Sequence, residues 1–325
     1  MIKLKQVHFQ ITRNCNLRCS FCGQWGKKGF FADSSGTEMT LEDWKEVICQ
    51  LEKYCEKKGG NICVTVWGGE PLVSPIFDEL MSMLKERDFI TEVITNGVLI
   101  DKHIDVLKSC ADRIYVSLDG TAQVHNKIRG GGVFEKVCGN LKSMRHSNIT
   151  VMSVITKELI KALPDFLNEL NELGIRNLYL QDMIGLTTEE INAYKRRMKS
   201  AFNIDATDIN SWENDEEIRF FEQVEDVLKN ADGLNYEVEH KTHSSEKDVH
   251  CMSPFCHMHI TWNGDVTYCT DFYDFKAGNV KEESIEEIFL NPKSEKYREE
   301  IQKGSCPTCN HCSWKNTKFL DFLTD

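Results

Sequence analysis

Val7-His8-Phe9-Gln10-Ile11-Thr12-Arg13-Asn14-Cys15-Asn16-Leu17-Arg18-Cys19-Ser20-Phe21-Cys22 is the stretch from which the rest of the chain is read. Val7, Phe9 and Ile11 alternate with neighbours of the other kind at period two, the mark of a strand with two different faces. The strand runs into a loop that carries three thiols, Cys15, Cys19 and Cys22. Thiolates bind zinc and iron-sulfur clusters alike, but a structural zinc site takes four ligands and this loop supplies three. In a four-iron cluster held by three thiolates, one iron stays open for another ligand. A zinc site completed elsewhere, or three incidental thiols, are the competing readings.

Working outward, Leu41, Trp44, Val47, Ile48, Leu51 and Cys55 recur at helical spacing behind a Thr40 cap, so the first strand and this helix form a βα unit. Ser74-Pro75 repeats the cap signal. Further strands are predicted at Ile62 to Val66, Glu92 to Thr95, Arg113 to Leu118, Thr150 to Ile155 and Ile175 to Leu180, with helices between them, one stopping at Gly174. Strands alternating with helices predict a mainly parallel sheet, curled by right-handed crossovers into a partial (β/α)6 barrel whose chemistry collects at the strand C-termini. The expected division is a barrel over 1–185, a helical connector over 186–249 with an apolar stripe at Phe220, Phe221, Val224, Val227 and Leu228, and a small metal-stapled α+β domain over 250–325.

The formal charge is −12, from 39 basic and 51 acidic side chains, with the acidic residues spread along the chain. That balance argues against broad binding to nucleic acid or to anionic lipid, which need a basic face. No apolar run approaches the roughly 18 residues of a membrane span, and the start lacks a signal-peptide core. A cytoplasmic location is therefore expected. In a reducing compartment fourteen cysteines point to metal ligation wherever their spacing is tight, rather than to disulfides. Cys49, Cys55, Cys63, Cys110 and Cys138 lie singly on expected helices and strands and read as packing.

Taken with the stretches that follow it in order, the cysteine loop resembles the C-x3-C-x2-C signature of the radical S-adenosylmethionine superfamily. Trp67-Gly68-Gly69-Glu70-Pro71 closes the second strand and is similar to that family's GGEP motif, which the resemblance places against the amino group of the cofactor's methionine moiety. Glycines permit close backbone approach, and Glu70 can accept from an ammonium group. Thr95-Asn96-Gly97 and Ser117-Leu118-Asp119-Gly120 end the next two strands at the expected cofactor rim. The resemblance implies cofactor contacts from Gly68, Gly69, Glu70, Asn96, Ser117 and Arg129, the last two toward the methionine carboxylate; a solvated loop arginine is the other reading of Arg129. Gln181 and Asp182 end the sixth strand and can face substrate, or Asp182 can cap a helix.

Cys251, Cys256, Cys269, Cys306, Cys309 and Cys312 form a second group that resembles the SPASM or shorter Twitch domains found after radical barrels. Trp262-Asn263-Gly264-Asp265 fits the hairpin turn of such a domain, and Ser284-Ile285-Glu286-Glu287 its capped helix. The group falls short of a full two-cluster set. It therefore implies at least one auxiliary four-iron cluster on Cys256, Cys269, Cys309 and Cys312, with Cys251 and Cys306 as substitutes or ligands of a partial second site. Structural zinc aided by His250, His257 and His259 is the alternative.

The resemblance implies reductive cleavage of S-adenosylmethionine to a 5′-deoxyadenosyl radical that abstracts a substrate hydrogen, with a flavodoxin- or ferredoxin-type reductant. Cys269-Thr270-Asp271-Phe272-Tyr273 is similar to the stretch in anaerobic sulfatase-maturating enzymes where an aspartate serves as base, which makes Asp271 a candidate base or else a turn residue. A peptide or protein side chain is the expected substrate, to be oxidised, crosslinked or epimerised. A small molecule such as a sugar is the alternative, and a non-catalytic metal-binding protein the reading from another class. The first strand begins within ten residues of Met1, so a ribosomal peptide substrate is expected to need a separate leader-peptide-binding protein.

Overall fold

The computed structural model describes residues 2–25, 29–31, 36–144, 148–214, 221–229, 237–240 and 251–304. Seven strands run parallel in chain order, β1 (Gln6–Gln10), β2 (Cys63–Trp67), β3 (Ile90–Thr95), β4 (Arg113–Ser117), β5 (Ile149–Ile155), β6 (Asn177–Asp182) and β7 (Glu237–His240). Helices α1 (Leu41–Lys58), α2 (Phe77–Lys85), α3 (Ile104–Cys110), α4 (Ala122–Arg129), α5 (Val133–Met144) and α6 (Lys157–Glu172) fill the connections between the first six strands. The curled parallel sheet is the partial barrel expected from the alternation.

The period-two pattern sorts β1 into an apolar and a polar face. Val7 and Phe9 of β1 and Val64 and Val66 of β2 are fully buried in one core with Trp44, Val47, Ile48 and Leu51 of α1, and the Phe9 and Trp44 rings lie 4.7 Å apart. Their alternates face each other: Gln6 donates to Thr65 Oγ1 (3.1 Å), Thr65 donates to Glu92 Oε2 (2.9 Å), and Glu92 Oε1 accepts from Arg113 Nη1 (3.0 Å). Apolar burial on the helix side stabilises the fold by about 25 cal/mol per Å², whereas a polar group buried on the other side costs free energy unless it is hydrogen-bonded.

Helix ends follow the local chemistry. Thr40 caps α1 in a capping box with Asp43, and α6 stops before Gly174 at φ 75°. Ser74 does not start α2. It closes the short 3-10 turn Pro71–Val73 by donating its N–H to the Pro71 carbonyl, and α2 begins at Phe77.

Beyond β6 come α7 (Thr188–Phe202), a 3-10 turn at Asp208–Trp212 and α8 (Phe221–Lys229). Val224 of the expected stripe is buried and Val227 and Leu228 pack on the core, while Phe220 lies outside the described residues. Strand β7 falls within the stretch read as helical; Glu-Val-Glu-His carries too many charges and is too short to read as a strand. After a one-turn helix α9 (Ser253–Cys256), strand β8 (His257–Ile260) pairs parallel with β1 on the edge opposite β2. It turns through Gly264 (φ 94°) into antiparallel β9 (Asp265–Thr267) and then β10 (Gly278–Asn279). The C-terminal unit is thus hydrogen-bonded onto the barrel sheet. Helices α10 (Ile285–Leu290), capped by Ser284 and Glu287 as the sequence indicates, and α11 (Pro292–Gln302) complete it.

Candidate active site

The cysteine loop leaves β1 and is gathered at its root by one carboxylate. Glu38 Oε1 accepts from Thr12 Oγ1 (2.8 Å), Arg13 N (2.8 Å) and Asn14 Nδ2 (3.3 Å). The turn after β2 packs directly on this root, with Gly69 N donating to Thr12 O (2.8 Å) and Glu70 N to Asn14 O (2.8 Å). Side chains would not fit there: a Cβ on Gly68 would lie 2.5 Å from Thr12 O, and one on Gly69 would collide with the carbonyls of Arg13 and Asn14. The two glycines are needed to bring backbone against backbone.

Each of the three sulfurs has an N–H aimed at it. Leu17 N reaches Cys15 Sγ (3.4 Å), with Asn96 Nδ2 at 4.0 Å; Trp25 N reaches Cys22 Sγ (3.4 Å); Arg129 Nη1 reaches Cys19 Sγ (3.8 Å). Burial pushes the Cys15 thiol up to about 11 and raises Cys19, the latter against the pull of Arg129. Such thiols become thiolates when a cation is there to bind them. Among the described residues no group of three or more His, Cys, Asp or Glu side chains is placed to hold a single metal ion. Three sulfurs in one loop, each with an N–H donor, fit a multi-iron cluster, whose sulfurs accept such bonds.

Around the loop the strand ends supply the rim. Glu70 is 1% exposed and takes Thr95 Oγ1 (2.6 Å), Asn96 N (2.7 Å) and Leu72 N (3.2 Å); burial still lifts its carboxyl to about 7. Arg129, at the last turn of α4, donates from Nε to Asp119 Oδ2 (2.5 Å), and Asp119 Oδ1 accepts from Val154 N (3.0 Å). Burial opposes the guanidinium charge, but Asp119 and Cys19 outweigh it and hold its pKa above the usual value. The solvated-loop reading of Arg129 is thereby corrected, since its side chain is 9% exposed.

A cavity of about 270 Å³ opens on these groups. Cys15, Cys19, Cys22, Gly68, Gly69, Glu70, Asn96, Ser117 and Arg129 line it. So do Met152, Val154 and Gln181 from β5 and β6, Trp212, and Thr270 and Asp271. The described sequence-derived residues of the barrel thus meet in one place; of Asp182 only the backbone is described. Trp212, Gly23, Glu38 and Asp274 are new. Asp274 caps the Asp208–Trp212 turn by accepting from Thr207 N (2.6 Å), Asp208 N (3.0 Å) and Ile209 N (3.2 Å), and Trp212 Nε1 donates to Asp271 O (2.8 Å). Nothing local in their sequence marks these contacts, although a glycine directly after Cys22 is a usable hint of close approach.

Of the second cysteine group, Cys251, Cys256 and Cys269 are described, and Cys306, Cys309 and Cys312 lie outside the described residues, as does His250. Burial pushes Cys256 up to about 12, and its thiol donates to Met252 O (3.4 Å). His257 and His259 lie on β8 with pKa values lowered to about 3 by burial. No helix among the described residues is long and apolar enough to cross a membrane.

Comparison with known proteins agrees with this geometry. Residues 9–170 match the Radical SAM superfamily, and residues 251–313 match SPASM, an iron-sulfur cluster-binding domain. The tungsten-containing aldehyde ferredoxin oxidoreductase cofactor-modifying protein of Pyrococcus furiosus is 26% identical over 98% of this chain and 90% of its own length. The antilisterial bacteriocin subtilosin biosynthesis protein AlbA of Bacillus subtilis is 24% identical over 94% of this chain and 65% of its own. Streptococcus suis SuiB, solved bound to S-adenosylmethionine, superposes with a TM-score of 0.68 at 15% identity, covering 100% of this chain and 75% of SuiB, and it has also been solved bound to precursor peptide SuiA. A four-iron cluster, S-adenosylmethionine and auxiliary iron-sulfur clusters are accordingly the cofactors of this enzyme. The chain belongs to the radical SAM superfamily and carries a C-terminal SPASM domain.

Proposed function

We propose that this enzyme abstracts a hydrogen atom from a side chain of a peptide or protein, leading to oxidation, crosslinking or epimerisation. The observation that carries the reading is the single cavity shared by the cofactor rim at Glu70, Ser117 and Arg129 and by Thr270 and Asp271 beside Cys269. A substrate group there lies between the radical source and the auxiliary domain. In this reading Cys15, Cys19 and Cys22 hold the reactive cluster; Gly68, Gly69, Glu70, Asn96, Ser117 and Arg129 hold S-adenosylmethionine; and Cys256, Cys269, Cys309 and Cys312 hold an auxiliary cluster, with Cys251 and Cys306 as further ligands. Together the cluster and cofactor supply a carbon-centred radical after one-electron reduction. The protein's part is to orient the cofactor through the rim, to keep water out with Met152, Val154 and Trp212, and to offer Asp271 as a base for the substrate proton. AlbA and SuiB, with their bacteriocin and precursor-peptide associations, support a peptide substrate. A low-potential one-electron carrier and a leader-binding partner are part of the proposal.

A small-molecule substrate is the second reading, favoured by the full-length likeness to a cofactor-modifying protein. One experiment separates them. Deuterated extract of the source organism is split into peptide and small-molecule fractions and offered to the anaerobic, reduced enzyme with S-adenosylmethionine. Deuterium in 5′-deoxyadenosine from the peptide fraction, lost after protease treatment, is expected. Transfer from the small-molecule fraction alone would overturn the peptide reading.

A further inference from the structure

Two of the three loop sulfurs face neutral donors, and one faces a permanent cation. Cys15 takes Leu17 N and Asn96 Nδ2, and Cys22 takes Trp25 N, whereas Cys19 faces Arg129 Nη1 at 3.8 Å. The guanidinium is fixed on three sides. Its Nε is bound to the fully buried Asp119 carboxylate (2.5 Å), its plane lies over the Phe21 ring at 5.7 Å, and the α4 turn bearing it is tied to the cysteine loop by Ser20 N donating to Ile128 O (3.1 Å). Asp119 is itself held by Val154 N (3.0 Å), so the pair cannot swing out to solvent without breaking backbone contacts on β5.

A buried ion pair is costly to desolvate, and its net worth for stability is small. What it does provide is a fixed positive charge in a low-dielectric site, close to one sulfur. A charged N–H donor stabilises negative charge on an acceptor more than a neutral one does. Hydrogen bonds to cluster sulfurs are among the determinants of iron-sulfur reduction potential. The electron added on reduction increases the negative charge spread over the thiolates, so a cation at Cys19 favours the reduced form.

We propose that Arg129, locked by Asp119, is a positioning residue that sets the reduction potential of the cluster through its N–H···S contact with Cys19, making the cluster easier to reduce. The step concerned is the transfer of one electron from a low-potential one-electron carrier to the cluster, with no bond made or broken in the protein. This rests on Cys19 being a cluster ligand, as proposed above. It is separate from any contact of Arg129 with the cofactor carboxylate and is tested without the cofactor.

The test is an EPR-monitored redox titration of the reconstituted full chain without S-adenosylmethionine. The relevant cluster is the one whose signal changes when S-adenosylmethionine is added to a parallel sample. Arg129→Met, which removes both charge and donor, should lower the reduced fraction at fixed poise at least tenfold, about 59 mV for one electron. Arg129→Lys, which keeps the charge but loses the fork, should shift it less in the same direction. Asp119→Asn, which removes the opposing charge and can still accept from Val154 N, should shift it the other way. Wild-type midpoints in the arginine variants would overturn the proposal; if Arg129→Met takes up no cluster, Arg129→Lys and Asp119→Asn decide on the same terms. A Cys19→Ala chain that kept the cofactor-sensitive signal would instead overturn the ligand assignment on which the proposal stands.

Discussion

The indole of Trp212 occupies the space a side chain on Gly23 would need: a Cβ on Gly23 would lie 2.5 Å from its ring atoms. Gly23 follows Cys22 in the cysteine loop, while Trp212 is bound through Nε1 to the carbonyl of Asp271 beyond Cys269. One aromatic ring therefore joins the two cysteine-bearing segments across the cavity.

Gly23→Ala should displace that ring. Overpacking of this kind costs about 1–3 kcal/mol. Chemical denaturation should show the loss, and a second change, Trp212→Leu, should recover part of it, giving a coupling of about 0.5–3 kcal/mol in a double-mutant cycle. Strict additivity of the two changes would mean that the ring does not press on Gly23 in solution.

The anchor of the same ring is Asp274, which accepts three backbone N–H groups at the start of the 3-10 turn. Asp274→Ala leaves those donors without their carboxylate and should cost about 1–2 kcal/mol, the scale of a lost cap. Asp274→Asn keeps an acceptor and should lie between. Equal stability of the alanine and wild-type chains in urea would count against the clamp.

Gly69→Ala drives a methyl group into the carbonyls of Arg13 and Asn14, which are backbone and cannot rotate away. The turn after β2 must then separate from the cysteine loop. Iron content after reconstitution should fall, and affinity for S-adenosylmethionine should drop at least tenfold, about 1.4 kcal/mol. Gly139→Ala, on α5 with open space around it, is the control and should change neither.

His125 gives the fold a pH dependence. Its Nδ1 accepts from Asp119 N (3.0 Å) and burial lowers its pKa to about 4, against an ordinary 6.5. The folded chain prefers the neutral ring, so this contribution is complete above pH 6.5 and is lost as pH falls toward 4. A difference of this size amounts to about 1 kcal/mol lost by pH 5.5 and about 3 kcal/mol by pH 4. His125→Asn, whose Oδ1 can still accept but does not titrate, should lose less stability between pH 7.5 and 5.5. Identical losses in the two chains would remove His125 from the account.

Strands β1 to β6 were legible as short runs between helical stretches, β1 from its period-two pattern as well, and the caps at Thr40 and Ser284 because a capping box is a local device. Ser74 misled because serine before proline also closes a 3-10 turn, and the competition is settled by packing. Strand β7 is hidden by the charges of Glu237 and Glu239. The roles of Gly68 and Gly69 were half legible: close approach was foreseen, but the partner proved to be the carbonyls of the cysteine loop. Trp212 and the Asp119–Arg129 pair were not legible, since both depend on which loops the barrel brings together.

We propose that Cys15, Cys19 and Cys22 hold the cluster that reductively cleaves S-adenosylmethionine. The most direct test is anaerobic reconstitution with iron and sulfide, then dithionite and S-adenosylmethionine, with 5′-deoxyadenosine and iron measured in the wild type and in a Cys15/Cys19/Cys22→Ala chain. 5′-Deoxyadenosine is expected from the wild type and none from the triple variant, which should keep the iron of the auxiliary domain. Equal 5′-deoxyadenosine from both chains, or none from an iron-replete wild type, would contradict it.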